Sequence, residues 1–367
     1  MIVQAETRDI AVLAVEATVD AMFANGQSDP KVEGTVRGLL RAYAEYYSEH
    51  DSDWRAHEVE STFVLPILNP DSRKRSQSRS FSLAGKRDVL IYREDRPDLL
   101  YLMDHKTSSE DFTDPSCSFW QRLKLDTQPT TYLWSLWLQG TKAAGVVWDV
   151  IRKPGIKPKK LAKDVVSEIV GKQTYLGHAV SRSTFLDVAN GVLQNENAEL
   201  YGLRVYHEAI TQPESWFKRD IVARDDSAIL EHVQEQWNIA EEARRCQTKY
   251  GNKPWPKTGA PHACFTYNRP CEFLDLCTRE DIPESSNWKA RQSHRELGID
   301  TSEHLPILTN SSMSDFRQCQ RKFFYRHEIG IEKVGKDEEA LHLGSLIHAG
   351  LEAYWNAKLM RLEVHDG

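Results

Sequence analysis

The sequence predicts an α/β (α+β) protein built on a central mixed sheet flanked by helices. Three observations carry that prediction. Runs of β-branched and aromatic residues alternate with segments of helical periodicity along most of the 367 residues. Two such runs, RDVLIYR (Arg87 to Arg93) and LLYLMDHKT (Leu99 to Thr107), flank the charged turn EDRPD, which is a β-hairpin pattern. A helix is then expected with Asp126 as its N-cap and Pro129 in its first turn, running through YLWSLWLQG to Gly140.

Taken in order, Ile10 to Phe23 and Val36 to Tyr47 place apolar residues at helical spacing, and His57 to Leu68 and Arg79 to Ala84 read as strands ahead of the hairpin. Within the Asp126 helix, Trp134 and Trp137 lie beside Leu133, Leu136 and Leu138 at core spacing. Ala144 to Arg152 is a further apolar strand, and the Pro and Gly of KPGIKPKKLAK (Lys153 to Lys163) predict a flexible insertion after it. Asp164 to Asn197 is polar and mixed, a helical insertion at most. Tyr201 to Thr211 and Phe217 to Val222 read as strands, and Ser227 to Arg245 as a helix. There is no internal repeat. A hydrophobic fraction of 40% is ordinarily globular, and one domain with insertions is expected.

Several classes are disfavoured. No run of about 18 apolar residues is present, so no membrane span is expected. The first twenty residues lack a basic region followed by an apolar core, so no signal peptide is expected, and a reducing cytoplasm is the expected location. No G-x-x-x-x-G-K-[ST] occurs, so the chain carries no P-loop motor. The net charge of -7 does not advertise a polyanionic partner, and any such contact must be local. Ser72 to Arg79, Lys153 to Lys163 and Arg317 to Lys322 are the basic runs, each of which also reads as a solvated surface.

The chemistry concentrates between residues 85 and 132, in Gly85-x-x-Asp88, Asp104-His105-Lys106 and Gln128-x-x-x-Tyr132. Residues two apart in a strand share a face, so Asp104 and Lys106 point the same way with Asp88 across the hairpin. Two carboxylates and an ammonium then converge, as phosphodiester hydrolysis requires. Asp88 and Asp104, with the His105 carbonyl as a further oxygen, suit Mg²⁺ or Mn²⁺. Lys106 would orient or help deprotonate the attacking water and offset charge on the phosphate. Gln128 and Tyr132 are i and i+4 neighbours on one helix face. Taken alone, D-x-K is usually a solvated pair, Gln128 a surface residue and Tyr132 a core aromatic; it is their order together that carries weight.

That order resembles the RecB-type branch of the PD-(D/E)XK nuclease superfamily, with Asp104 where the family more often has Glu. The resemblance implies a restriction-endonuclease-like fold, one- or two-metal DNA cleavage, and a Gln/Tyr helix that contacts DNA beside the site. It also implies an upstream histidine in a G-x-x-x-H helix. Here that motif, Gly344 to His348, lies near the C-terminus, and His348 would be an additional metal ligand. Ser311 to Glu332 is similar to the usual start of such proteins and is displaced with it. His294 to Leu297 resembles the usual end, and Ile307 to Ser312 the usual beginning. A circular permutation is expected, with residues 1–300 as nuclease core, including a cysteine segment at 260–278, and 301–367 completing the same domain. A swapped dimer, in which that segment completes a neighbour's site, is the rival account.

Six cysteines are present. Cys264, Cys271 and Cys277 lie close in sequence and suggest a soft-metal site. With Cys319 they resemble the [4Fe-4S] arrangement of AddB and the CRISPR-adaptation nucleases, although the inner spacing departs from C-x2-C. Zinc held by the three with His262 or Cys319 is the alternative. Cys117 and Cys246 read as idle thiols. The function expected is a Mg²⁺- or Mn²⁺-dependent deoxyribonuclease, first of all an exonuclease on single-stranded DNA ends. Repair, recombination or phage DNA processing would be its setting, alone or beside a separate helicase or recombinase. The other class is a noncatalytic nucleic-acid-binding module that keeps the fold and cluster.

Overall fold

Neighbouring side chains in a strand face opposite ways, and the central strands are apolar on both sides. Val89 and Ile91 join one buried cluster with Met103, Val147 and Ile151, while Leu90 joins another with Leu102 and Val146. A sheet of this kind must be covered twice, and in the computed structural model helices lie against both faces. The structure describes residues 2–25, 28–72, 76–266, 269–294, 297–300, 303–335 and 339–365.

The sheet runs in the order β1 (Trp54–Leu68), β2 (Gln77–Arg93), β3 (Arg96–Ser108), β4 (Gly145–Arg152), β5 (Phe217–Val222). Among these five strands only β3 and β4 are parallel, joined through α3 (Ser118–Leu125) and α4 (Gln128–Leu138); the other neighbours are antiparallel. A two-residue strand, β6 (Ile307–Leu308), pairs parallel with Ser82 and Leu83 of β2. The sheet is therefore mixed, as predicted.

On one face lie α1 (Ile2–Met22), α2 (Pro30–His50), α7 (Ala198–Thr211) and α10 (Glu339–His365). Asp29 caps α2 by accepting from Lys31 N, and the helix buries Val36, Leu39, Leu40 and Tyr43 against Ile347, Leu351, Tyr354 and Trp355 of α10. On the other face α4 packs with α8 (Asp226–Tyr250) and α9 (Asn310–Gln318), the last closed by a capping box between Thr309 and Ser312. Trp134 is buried and Trp137 half-buried in this second core. Between β4 and α7, α5 (Lys163–Lys172), a short hairpin and α6 (Arg182–Ala189) enclose a small core of their own around Ile169, Tyr175 and Leu200.

Four expectations are corrected. Tyr201 to Thr211 is helix, not strand: Asn197 caps it through Leu200 N, and Leu200, Tyr201, Val205 and Ala209 bury one helical stripe despite the aromatic and β-branched content. Its close approach to α2 is through glycine, since a Cβ at Gly38 would lie 2.4 Å from the Gly202 carbonyl oxygen. Arg79 to Ala84 and Arg87 to Arg93 are one long strand. Asp126 is not the helix N-cap, a place taken by Thr127; it follows α3, and its Oδ1 accepts from Gln128 N at 2.8 Å. Lys153 to Lys163 is not a loose insertion, because its backbone is tied down at several points described below. Of the basic run Ser72 to Arg79, residues 73–75 lie outside the described residues, as do 295–296 of the expected family end and 267–268 of the cysteine segment. Among the described residues no helix is long and apolar enough to cross a membrane.

Candidate active site

The site forms where the sheet forks. β2 and β3 are paired as far as Val89 and Met103; beyond that point β3 continues beside β4, while β2 continues beside β1 and takes up β6. Asp88 and Asp104 are the first residues past the last pair. The ladder ends there with a side chain: Asp88 Oδ2 accepts from His105 N at 2.8 Å. Sequence-local hairpin geometry thus delivers both carboxylates to one opening.

Glycine at position 85 has a packing reason. A Cβ there would sit 2.7 Å from Cζ of Phe63 and 3.1 Å from Cε1 of Tyr132, whose rings meet edge to face with centroids 6.0 Å apart. Gly85→Ala is expected to displace the Tyr132 ring, destabilise the fold by about 1–3 kcal/mol, and slow any reaction at the site. Urea denaturation and a tyrosine hydroxyl substitution, Tyr132→Phe, separate the packing effect from loss of the hydroxyl.

Lys106 is the hub of the polar contacts. Its Nζ lies 2.7 Å from Asp104 Oδ2, donates to Gln128 Oε1 at 2.7 Å, and sits 5.2 Å from the Trp148 ring centroid. Gln128 Nε2 donates in turn to the Tyr132 hydroxyl at 2.8 Å. The i, i+4 pair expected from sequence is therefore present, and both ends of the Gln128 amide are engaged by protein groups. Burial disfavours the Lys106 ammonium, but the acidic groups around it, Asp104 first and then Asp126 and Asp88, together leave the pKa above its ordinary value. The Asp88 carboxyl is pushed up to about 7, first by burial and then by the neighbouring Asp104.

His348, on α10, reaches the same opening from the opposite face. Its Nδ1 is 3.8 Å from Asp88 Oδ2, beyond hydrogen-bond range, and burial, then the nearby His105, lowers its pKa to about 4, leaving a neutral imidazole. A cleft of about 760 Å³ runs along this opening, lined among others by Asp88, Gln128, Tyr132, Lys153 and His348. Glu60, Lys86 and Glu352 share its wall, with Glu60 and Lys86 as an ion pair. Asp104, 1% exposed, lies behind it.

These residues suit a hard divalent cation. Asp104 Oδ2 is buried and accepts no directed hydrogen bond despite the lysine beside it, and the half-buried Asp88 lies close enough to feel its charge. Among the described residues no three His, Cys, Asp or Glu side chains converge as a ready-made metal cage. Mg²⁺ does not require one, because it keeps several waters and takes one or two carboxylates together with substrate phosphate. A four-thiolate cluster does. Cys264, Cys271, Cys277 and Cys319 are all free thiols, and Cys271 N donates to the Cys264 carbonyl at 2.6 Å. Burial above all raises the Cys271 and Cys277 pKa values, and nearby cysteines add to it, yet the four do not converge on one point.

Sequence reasoning missed the polar network behind β3. His105 faces away from the cleft, its Nδ1 2.7 Å from Asp149 Oδ2, and Asp149 also accepts from Tyr43 (2.7 Å) and Arg219 Nε (2.8 Å). Arg219 pairs with Asp51, whose backbone carbonyl accepts from Lys358 of α10 at 2.8 Å. The one signal in the sequence was a carboxylate, Asp149, inside the otherwise apolar strand GVVWDVIR.

The mixed sheet brings two carboxylates and a lysine together at its fork, a donor set that suits a hard divalent cation. The sequence profile of the PD-(D/E)XK nuclease superfamily matches residues 4–278 and 308–366, and the chain belongs to that superfamily. Nuclease activity with a divalent metal is what membership implies. No curated protein and no solved structure matches the chain.

Proposed function

We propose that the chain is a Mg²⁺- or Mn²⁺-dependent deoxyribonuclease that acts on single-stranded DNA or free DNA ends, in repair, recombination or phage DNA processing. The observation that carries this reading is the fork itself, where Asp88 and Asp104 meet beside Lys106. The two carboxylates, the His105 carbonyl and His348 would hold the cation. Bound there, it supplies Lewis-acid polarisation of a phosphoryl oxygen and a more acidic water. Lys106, steadied between Asp104 and Gln128, keeps a positive charge beside the position where charge builds on the phosphate. The branch-level assignment and the permuted order, with residues 301–367 completing the 1–300 core, are part of the proposal. They are supported by the pairing of β6 with β2 and by His348 beside Asp88.

The test uses end-labelled single-stranded and duplex DNA with Mg²⁺, Mn²⁺ or chelator. Cutting that requires the metal is expected, with a product ladder that reports polarity; binding without cutting in every metal would instead make this a noncatalytic binding module. A [4Fe-4S] cluster on Cys264, Cys271, Cys277 and Cys319, with zinc as the alternative, is also proposed from the sequence resemblance; all four are free thiols, and Cys277 is near enough to Cys264 and Cys319 to interact with them electrostatically. It would need those thiols to close around the metal, and we assign it no step in the reaction. Iron and zinc content of anaerobically purified protein decides between the two.

A further inference from the structure

Residues 152–163, where β4 leaves the sheet, hold six cations (Arg152, Lys153, Lys157, Lys159, Lys160, Lys163) and no anion, in a chain of net charge -7. This segment starts at the catalytic cleft, which Lys153 lines, and Lys153 N donates to the Ser108 carbonyl at 2.7 Å. From there its backbone is fastened inward. Ile156 packs on the core of the α2 face, and its carbonyl accepts from the Tyr201 hydroxyl at 2.9 Å. Arg204 Nη2 donates to the Lys157 carbonyl at 2.8 Å, Lys159 N donates to Glu196 Oε2 at 3.0 Å, and Leu161 N donates to the Gln194 carbonyl at 2.9 Å.

The fastener is itself buried and charged. Glu196, 4% exposed, accepts from Arg204 at 2.8 and 2.6 Å and from the Tyr175 hydroxyl at 2.7 Å. Burying an ion pair is costly, so this one holds the strap at the expense of desolvation rather than as a simple source of stability. With the backbone turned inward, Lys157, Lys159, Lys160 and Lys163 stand exposed, and none of the four forms an ion pair among the described residues. A fixed, extended row of unneutralised ammonium groups leading out of a cleft is complementary to an extended polyanion. The seven residues from Lys157 to Lys163 span at most about 25 Å, long enough to face several phosphates at about 3.4 Å apiece along a stacked strand.

We propose that residues 153–163 are a rail for the phosphate backbone of one nucleic-acid strand, guiding it between the cleft and the outer surface. The inference rests on the nuclease reading, since it takes the cleft occupant to be nucleic acid. Phosphate contacts of this kind position a strand without reading its sequence.

The test is charge reversal at Lys157, Lys159 and Lys160 together, with their replacement by glutamine as the milder variant. Binding is measured for a labelled 30-nucleotide and a 4-nucleotide single strand, over a range of salt, without divalent metal; cleavage of both is measured with Mn²⁺. For the 30-mer, charge reversal is expected to weaken binding by about tenfold or more and to reduce the salt slope by about 2, near 0.7 for each phosphate that is no longer neutralised. The glutamine variant should lie between, and the 4-mer should bind and be cut as by the unaltered chain. Unchanged 30-mer affinity and slope would overturn the rail, as would equal losses on both oligonucleotides, which would indicate only a change in overall charge. If the unaltered chain cuts neither oligonucleotide while the slope still falls on reversal, the rail stands and the nuclease reading fails. Cutting of both by the unaltered chain, with no effect of reversal, removes the rail alone.

Discussion

Asp104→Ala is expected to remove DNA cleavage, by on the order of 10³-fold or more, while DNA binding stays within a few-fold of the unaltered chain. The loss is large because one carboxylate serves two partners. Asp104 is a proposed cation ligand, and it is also the anion 2.7 Å from Lys106 Nζ that offsets the cost of burying that ammonium. Binding is spared because Asp104 is 1% exposed and lies behind the cleft wall, where it offers a strand no contact surface. Removing a negative charge there cannot weaken attraction for a polyanion. Single-turnover cleavage of end-labelled DNA and fluorescence anisotropy of the same strand measure the two quantities. Gln128→Ala is the comparison: it deletes a contact to Lys106, not a proposed ligand, and should cost about tenfold, the scale of one charge-assisted hydrogen bond. A loss as large as that of Asp104→Ala would give Gln128 a role in the reaction itself. Wild-type cleavage by Asp104→Ala would remove the site assignment.

How much of this was legible depended on the range of the contacts involved. Asp88, Asp104 and Lys106 could be aligned because a hairpin joins them, so two-residue periodicity and one turn determine their faces. Gln128 and Tyr132 followed in the same way from helical periodicity. The fork is a different matter. It exists because β6, from residues 307–308, pairs with Ser82 and Leu83, and no pattern local to β2 announces a partner more than 200 residues away. The helix at Ala198–Thr211 was misread for a related reason: Tyr201, Val205 and Tyr206 have strand-like chemistry, and what selects helix is the close glycine contact with α2. The approach of His348 to Asp88 was expected from the resemblance, not from spacing, since 260 positions separate them. The network around Asp149 joins β3, β4, β5, α2 and α10, and only the isolated charge in an apolar strand hinted at it.

Asp149→Ala is the second large effect, expected on stability. Asp149 is fully buried and accepts from Tyr43, His105 and Arg219. Burial alone would raise its pKa, but Arg219, His105 and Tyr43 together outweigh that and hold the carboxyl well below the usual carboxylate range, so it is ionised at neutral pH. Deleting it leaves the buried Arg219 guanidinium with Asp51 as its remaining carboxylate partner, and leaves the His105 ring without its acceptor. Breaking a buried pair in this way costs about 3–5 kcal/mol, read as a fall in the urea midpoint at unchanged slope. The double variant Asp149→Ala/Arg219→Met should lose less than the two single changes added together, because each single change strands a charge that the double one removes. Additive losses would mean that the two residues are not coupled. Activity should fall as well, at temperatures where the variant is still folded. His105 lies between Asp104 and Lys106 on a strand that has just left its ladder with β2, and its side chain is anchored through Asp149 to α2 and β5. With that anchor gone, the strand end carrying Asp104 and Lys106 is held on one side by β4 and on the other by the Asp88 contact to His105 N and the Lys106 bond to Gln128.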